Sequence, residues 1–244
     1  MANDDAIIFP KRGKHAPRLG PVGVIAATES DLTLLCSLLD LDKTRYQKLF
    51  TSRLYVSGPL DGDFSLSGPL IGAPYAAMVL ETLIAWGVRE ILFLGWCGSI
   101  SARAKIGDII VPTSAMIDEG TSGHYLDVDD RNSFPSELMV AKLREVLDQN
   151  GFNYHCGPVW STDAVYRETR AKVEHFQRQN VIGVEMEVSA LFTVAAFRKV
   201  DLGAMVVVSD ELASFKWRPG FKMNEFKHGR ETACTVVRDI CRKS

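Results

Sequence analysis

Short apolar runs alternate with amphipathic segments along most of this chain, and that alternation constrains its fold more than any other feature. Residues 22–27, 91–94 and 204–208 are apolar stretches of strand length, whereas residues 136–149 place their apolar side chains at helical spacing. Strands that alternate with helices favour a sheet covered by helices on both faces. We therefore predict the α/β fold class, with a mostly parallel or mixed sheet.

The composition is ordinary for a globular protein, with 46% hydrophobic and 24% charged residues and a formal net charge of −2 over 244 residues. This balance gives no basic footprint for nucleic acid and no attraction to anionic membranes. The five cysteines are scattered without a Cys-x-x-Cys pair, which favours free thiols in a reducing compartment. With an acidic start and no long apolar run, we expect a cytoplasmic protein.

The first twenty residues are polar and basic and contain Pro10 and Pro17, so we predict an N-terminal arm over residues 1–20. Residues 21–244 then form a single domain. Within it, three element ends can be predicted from local signals. A first helix is predicted to be capped by Ser30, the strand over 91–94 to stop at Gly95, and a helix to begin near Met186.

Two acidic clusters each follow an apolar run of strand length. The first is Gly-Val-Glu-Met-Glu-Val-Ser-Ala over residues 183–190, and the second is Val-Val-Ser-Asp-Glu-Leu over residues 207–212. Strand ends of an α/β sheet meet at one edge, where such proteins bind small ligands. We expect the carboxylates of both clusters to lie close together at that edge.

The two clusters, in this order, resemble the nucleoside phosphorylase and nucleosidase family. The resemblance implies a three-layer α/β/α sandwich around a central mixed, partly barrel-like sheet, usually in a homo-oligomer. It implies that Glu187 binds the ribose hydroxyls, that Met186 packs on the sugar and that Glu185 lines the pocket. It also implies that Asp210, next to Ser209, is an acid at N7 of a purine.

Each acid also has a plainer interpretation. A glutamate in the first turn of a helix is favourable with the helix dipole, which would account for Glu187 alone. Aspartate is a favoured helix cap, which would account for Asp210. Lys216, Trp217 and Pro219 argue against a long helix directly after Asp210.

Two further segments resemble the family. Residues Gly95, Trp96, Cys97 and Gly98 resemble its phosphate-side loop, and Ser99 follows them. However, Phe93 and Trp96 stand where the bacterial phosphorylases carry an arginine and a serine or threonine, and the loop over residues 26–31 is acidic. Arg45 or Arg53 could supply positive charge to a neighbouring subunit's site.

Residues 161–166 resemble the segment whose aromatic side chain stacks on the base. Val165 stands at the stacking position, so Tyr166 beside it or Trp160 could take that role. His124 or His15 could reach the ribose 5′-hydroxyl.

The function implied is cleavage of the N-glycosidic bond of a nucleoside, with Asp210 favouring a purine. Inorganic phosphate would be the co-substrate, giving ribose 1-phosphate and free base, with no cofactor and no metal. One alternative is a phosphate-independent nucleosidase with Glu29 or Asp31 as the base that activates water. Another is a nucleoside-binding protein without turnover.

Other classes have less support. A dinucleotide-binding dehydrogenase is disfavoured because the first strand is not followed by Gly-x-Gly-x-x-Gly. A serine hydrolase is disfavoured because the chain has no Gly-x-Ser-x-Gly. A Cys97 nucleophile with His124 as its base is conceivable, but a small buried residue in a glycine-rich segment accounts for Cys97 better. The five histidines show no metal-ligand spacing.

Overall fold

The computed structural model describes residues 6–14, 16–58, 64–126 and 131–243. Its helices are α1 (Glu29–Leu38), α2 (Ala73–Trp86), α3 (Glu137–Gln149), α4 (Arg170–Gln177), α5 (Val188–Arg198) and α6 (Asn224–Lys243). Its strands are β1 (Val22–Ala26), β2 (Gln47–Leu49), β3 (Ser52–Val56), β4 (Phe64–Gly68), β5 (Glu90–Ser99), β6 (Ile109–Asp118), β7 (Asn132–Ser133), β8 (His155–Thr162), β9 (Gly183–Glu185), β10 (Asp201–Glu211) and β11 (Arg218–Pro219). None of the described helices is long and apolar enough to cross a membrane.

Five strands close into a small barrel. Strand β5 pairs with β10, β10 with β6, β6 with β8, β8 with β9, and β9 returns to β5. Strands β1, β4, β3 and β2 continue the sheet outward from β5. The pairing is mixed, because β5 runs parallel to β1 and β10 but antiparallel to β9. The predicted mixed, partly barrel-like sheet is therefore confirmed.

Helices cover both faces of this sheet. Successive side chains of a strand point to opposite faces, and in β5 Phe93 packs with α2 and α5 whereas Leu94 packs with α1, α3 and α6. In β10, Val206 lies on the same face as Phe93, and Met205 lies on the same face as Leu94. The result is the predicted three-layer α/β/α arrangement.

Helix α2 carries Pro74 in its first turn and ends at Trp86, with Gly87 as its C-cap. The prediction for α1 was wrong by two residues, because its cap is Thr28 and not Ser30. The Thr28 hydroxyl accepts a hydrogen bond from the Asp31 amide at 3.2 Å and donates to the Asp31 carboxylate at 2.9 Å.

The barrel strands are longer than their apolar runs. The prediction that a strand stops at Gly95 was wrong, because β5 continues through Ser99, where it pairs with β10 and β9. Residues 95–98 are therefore strand and not loop. Similarly, β10 extends beyond its apolar run through Ser209 and Asp210 to Glu211. The apolar runs identified only the middle of each strand, and in both strands the residues that follow the run are strand as well.

Candidate active site

A cavity of about 640 Å³ lies at the ends of the barrel strands. It is lined by residues from both acidic clusters, namely Glu185, Met186, Glu187, Ser209 and Asp210. Trp96, Cys97 and Gly98 of β5 line it as well, with Ala27 and Thr28 after β1 and Leu212, Trp217 and Phe221 after β10. The structure thus brings together side chains that lie far apart in the sequence.

Glu185 holds the start of helix α5. One carboxylate oxygen accepts hydrogen bonds from the amides of Glu187 and Val188, at 2.6 and 2.7 Å, and the other accepts one from Ser161. Burial raises the pKa of Glu185, although these three donors oppose the rise. Glu185 therefore fixes the position of the neighbouring Glu187, and the favourable contact with the helix N-terminus belongs to Glu185.

Glu187 is the residue just before α5, and its side chain is only 6% exposed. Its carboxylate accepts a hydrogen bond from the amide of Gly72, at the start of α2, at 2.6 Å. Burial and then the neighbouring charge of Glu185 raise its pKa well above the ordinary value. A carboxylate held in this way, at a cavity wall, is suited to accept hydrogen bonds from ligand hydroxyl groups.

Asp210 lies at the other acidic cluster, at the end of β10. Its carboxylate accepts hydrogen bonds from the Ser209 hydroxyl at 2.6 Å and from the Trp217 indole at 2.9 Å. Gly98 of the adjacent strand allows this packing, since a Cβ atom there would lie 3.2 Å from Asp210 Oδ2 and 2.6 Å from Leu212 Cδ1. Asp210 is followed by the short strand β11 and not by a helix, so it is not a helix cap.

Glu168 is a cavity residue that the sequence did not reveal. Helix α4 begins at Arg170 with Thr169 as its cap, and Glu168 precedes it, beside the cavity. Burial and then the charge of Asp210 raise the pKa of Glu168 to about 7. No pattern in the sequence marks this position.

A buried polar network lies behind the end of the cavity that Thr28 and Trp96 line. Asp31 is 1% exposed and accepts hydrogen bonds from Trp96 Nε1 at 2.6 Å and from Arg230 Nε at 2.7 Å. The Arg230 guanidinium also lies 5.1 Å from the centre of the Trp96 ring. Arg230 is thus neutralised by Asp31 and is not available to a ligand.

The charge around the cavity is one-sided. Within the described ranges, its lining contains four carboxyl groups and no lysine, arginine or histidine. The two acids considered as bases for a nucleosidase do not line it, because Asp31 is engaged in the buried network and Glu29 is paired with Arg53 at the surface. Arg53, one of the two arginines considered as a phosphate ligand, is therefore engaged by Glu29.

Several residues named from the sequence lie elsewhere. Gly95 does not line the cavity, since it pairs with β10 and a Cβ atom there would lie 2.8 Å from the Phe93 ring. Trp160 is fully buried, stacks on Phe176 and donates to Asp118, so it cannot stack on a base. His124 lines a second, larger cavity. His15 lies outside the described residues.

Val165 and Tyr166 line the rim of the cavity, where Val165 is 47% and Tyr166 97% exposed.

Cys97 lines the cavity from β5, but burial raises the pKa of its thiol well above the ordinary value, which opposes a thiolate nucleophile. Ser99 is fully buried and donates to backbone carbonyls at 2.8 Å. Across residues 6–14, 16–58, 64–126 and 131–243, no group of three His, Cys, Asp or Glu side chains could hold a metal ion.

The fold is that of an α/β protein with a cavity at the ends of its strands. The sequence matches the model of the phosphorylase superfamily over residues 21–242. The chain belongs to that superfamily.

Individual relatives share part of the chain. Guanosine phosphorylase of Halorubrum lacusprofundi is 32% identical over 160 residues, which cover 65% of this chain and 66% of that protein. Purine nucleoside phosphorylase DeoD-type 1 of Shewanella oneidensis is 34% identical over 152 residues, which cover 62% and 64%. The matched region thus spans slightly less than two thirds of either relative.

The fold is also similar to that of a solved structure over nearly its full length. The crystal structure of uridine phosphorylase from Vibrio fischeri superposes with a TM-score of 0.81, covering 96% of this chain and 98% of that one at 18% identity. At this identity the similarity concerns the fold alone.

Proposed function

We propose that this protein cleaves the N-glycosidic bond of a purine nucleoside. The observation that carries the proposal is that Glu187 and Asp210, from two separate strand ends, line one cavity together with Met186. A nucleoside has a sugar rich in hydroxyl groups and a base that leaves as an anion unless it is protonated. The cavity offers a carboxylate for the first and an acid for the second.

Glu187 binds the 2′- and 3′-hydroxyls of the ribose in this scheme, and Met186 packs against the sugar. Cleavage builds positive charge on the ribose ring, so a nearby carboxylate stabilises the transition state more than it stabilises the neutral substrate. Glu185 positions Glu187 through the start of α5.

Asp210 is the acid at N7 of the leaving base, and Ser209 orients its carboxyl group. Protonation at N7 lets the purine leave as a neutral molecule, which is general acid catalysis. Trp217, Phe221 and the rim residues Val165 and Tyr166 supply apolar surface for the flat base.

Inorganic phosphate is the nucleophile in the version of this function that the two relatives' names support, since both are called phosphorylases. The products are then ribose 1-phosphate and free base. In this version the segment from Trp96 to Gly98 faces the phosphate, and no other cofactor takes part.

Hydrolysis is the second candidate, and the charge of the cavity favours it. Phosphate is an anion, and the described lining of this cavity offers it four carboxyl groups and no cation. Water carries no charge and meets no such repulsion. At the end of the cavity where a cationic side chain would be expected to bind phosphate, Trp96 and Arg230 are both hydrogen-bonded to Asp31.

A panel assay tests the proposal and separates its two versions. We expect free base to be released from at least one of guanosine, inosine and adenosine, as measured by chromatography with and without inorganic phosphate. Release that requires phosphate, with ribose 1-phosphate as the second product, supports phosphorolysis. Release of ribose without phosphate supports hydrolysis. Tight binding of a nucleoside without any release would contradict the enzymatic proposal.

We also propose that the protein acts as a homo-oligomer in the cytoplasm. Around the second cavity, of about 1110 Å³, several large apolar side chains are exposed, among them Ile8, Phe50 and Met78. A second copy of the chain would bury them. The five cysteines are free, which suits a reducing compartment. Sedimentation velocity at micromolar concentration should give a dimer or larger species, and a monomer would contradict this assembly.

A further inference from the structure

Helix α5 begins at the cavity, but its N-cap residue does not cap it. The N-cap residue is Glu187, whose side chain forms no capping hydrogen bond with the described residues of the helix. An N-cap side chain ordinarily accepts a hydrogen bond from the amide of the second or third helical residue. The Glu187 carboxylate instead accepts one from the Gly72 amide and lines the cavity. Other groups therefore have to satisfy the amides at the start of α5.

Two side chains from neighbouring strands cap the helix instead. Glu185 of β9 accepts hydrogen bonds from the amides of Glu187 and Val188, at 2.6 and 2.7 Å. The Ser161 hydroxyl of β8 accepts one from the amide of Ser189, the second residue of α5, at 2.8 Å. Ser161 thus takes the hydrogen bond that an N-cap side chain would ordinarily accept. The three amides that open the helix are all satisfied without the Glu187 side chain.

Ser161 also holds Glu185 in place. The two residues are register partners on the parallel strands β8 and β9, so their side chains lie on the same face of the sheet. The Ser161 hydroxyl donates its hydrogen to one carboxylate oxygen of Glu185, and within the described part of the chain no other group donates to that oxygen. Both side chains are buried, so loss of this donor would leave a carboxylate oxygen unsatisfied away from water.

We propose that Ser161 is a positioning residue for the ribose carboxylate. By capping α5 together with Glu185, it leaves the Glu187 side chain free to face the cavity. The inference rests on the proposed function, in which Glu187 binds the ribose hydroxyls, and deepens it. Without the Ser161 hydroxyl the Ser189 amide would be free, and Glu187 stands at the N-cap position, from which a side chain accepts that bond. The helix end would then compete with the ribose for one carboxylate.

Ser161→Ala tests this inference without any substrate. Alanine removes the acceptor of the Ser189 amide, so we expect Glu187 to turn toward the helix and release the Gly72 amide. In NMR spectra of ¹⁵N-labelled protein, the Gly72 amide proton should move upfield and exchange about 2- to 10-fold faster with solvent. A Gly72 amide that keeps its wild-type shift and exchange rate in folded Ser161→Ala would overturn the inference.

Ser133→Ala is the matched control. Ser133 is also buried and also contacts Ser189, but its hydroxyl donates to the Ser189 carbonyl, at 3.0 Å, and not to a carboxylate. The control therefore removes a buried serine hydroxyl beside the same residue of α5 and leaves the cap intact. We expect the Gly72 amide to behave as in the wild type. An equal change at Gly72 in both variants would show a general loosening of α5 and would contradict a specific role of Ser161.

A double-mutant cycle tests whether Ser161 acts through Glu187. We expect Ser161→Ala to lower kcat/KM for a ribonucleoside about 10- to 100-fold, because a small displacement of a substrate-binding group has effects of that size. In a Glu187→Gln background the same substitution should cause almost no further loss, since the contact through which it acts is already weakened. If the two losses multiply, Ser161 acts independently of Glu187, and the inference is wrong.

A milder variant covers the case in which alanine prevents folding. The thiol of Ser161→Cys is only a weak donor and a weak acceptor, so we expect the same changes at Gly72 and in kcat/KM, but smaller ones. Wild-type behaviour of Ser161→Cys in both measurements would contradict the inference. If the Gly72 amide responds as expected but the wild-type protein cleaves no nucleoside, the proposed function fails and the capping role of Ser161 stands.

Discussion

Asp210→Asn is expected to lower the turnover of unmodified purine nucleosides by about 10² to 10⁴ while barely changing their affinity. Asparagine keeps the size of the side chain, and its one amide oxygen can still accept one of the two hydrogen bonds that Ser209 and Trp217 donate to separate carboxylate oxygens of Asp210. What it loses is the ability to give a proton to N7. Because proton transfer occurs in the transition state, the loss should fall on kcat and not on binding. Steady-state kinetics and calorimetric titration with the same nucleoside measure the two effects.

A matched substitution far from the cavity serves as the control. Asp40 has a positive φ of 56° and an 85% exposed side chain, and asparagine tolerates that backbone conformation. Asp40→Asn should therefore match the wild type in both measurements. Wild-type turnover in Asp210→Asn would remove Asp210 from the mechanism, whatever the control shows.

Glu187→Gln is expected to lower kcat/KM for ribonucleosides by about 10² to 10³. The amide keeps one oxygen for the Gly72 amide, but the negative charge beside the ribose is lost. Charge-assisted hydrogen bonds from the hydroxyls become neutral ones, and the charge that develops on the sugar ring loses its counter-ion.

A comparison of sugars localises this effect. A nucleoside without the 2′-hydroxyl already lacks one of the two contacts, so the ratio of kcat/KM for a ribonucleoside to that for its 2′-deoxy analogue should shrink in Glu187→Gln. Glu174 of α4 pairs with Arg170 and does not line the cavity, so Glu174→Gln should leave this ratio at the wild-type value. If the ratio in Glu187→Gln equals that of the wild type, Glu187 does not contact the sugar at its 2′ position.

Local sequence was enough to predict the layers and the meeting of the two acidic clusters. Alternation of apolar and polar residues identified the cores of β5 and β10, because these side chains are buried between helices on both faces. The position of Glu185, Glu187 and Asp210 directly after such runs placed them at strand ends. That reasoning needs no contact between distant parts of the chain.

The features that could not be predicted depend on such contacts. The ends of β5 and β10, which follow their apolar runs, are strand because they pair with each other and β5 also pairs with β9 in the closed barrel. The Asp31–Arg230 pair joins residues 199 positions apart, and Asp31 with Trp96 joins residues 65 apart. Glu168 lies just before α4, outside the helix, and lines the cavity beside residues that are distant in the sequence. None of these pairings leaves a local signal.

A crystal structure with 9-deazainosine tests the central claim most directly. Its base is joined to the ribose by a carbon–carbon bond, so the ligand keeps the shape of inosine and cannot be cleaved. We expect it to bind in the cavity of β5, β9 and β10, with Glu187 within hydrogen-bond distance of the ribose hydroxyls and Asp210 within hydrogen-bond distance of N7. A ligand bound elsewhere, or one whose sugar and base contact neither carboxyl group, would contradict the proposed roles of both residues.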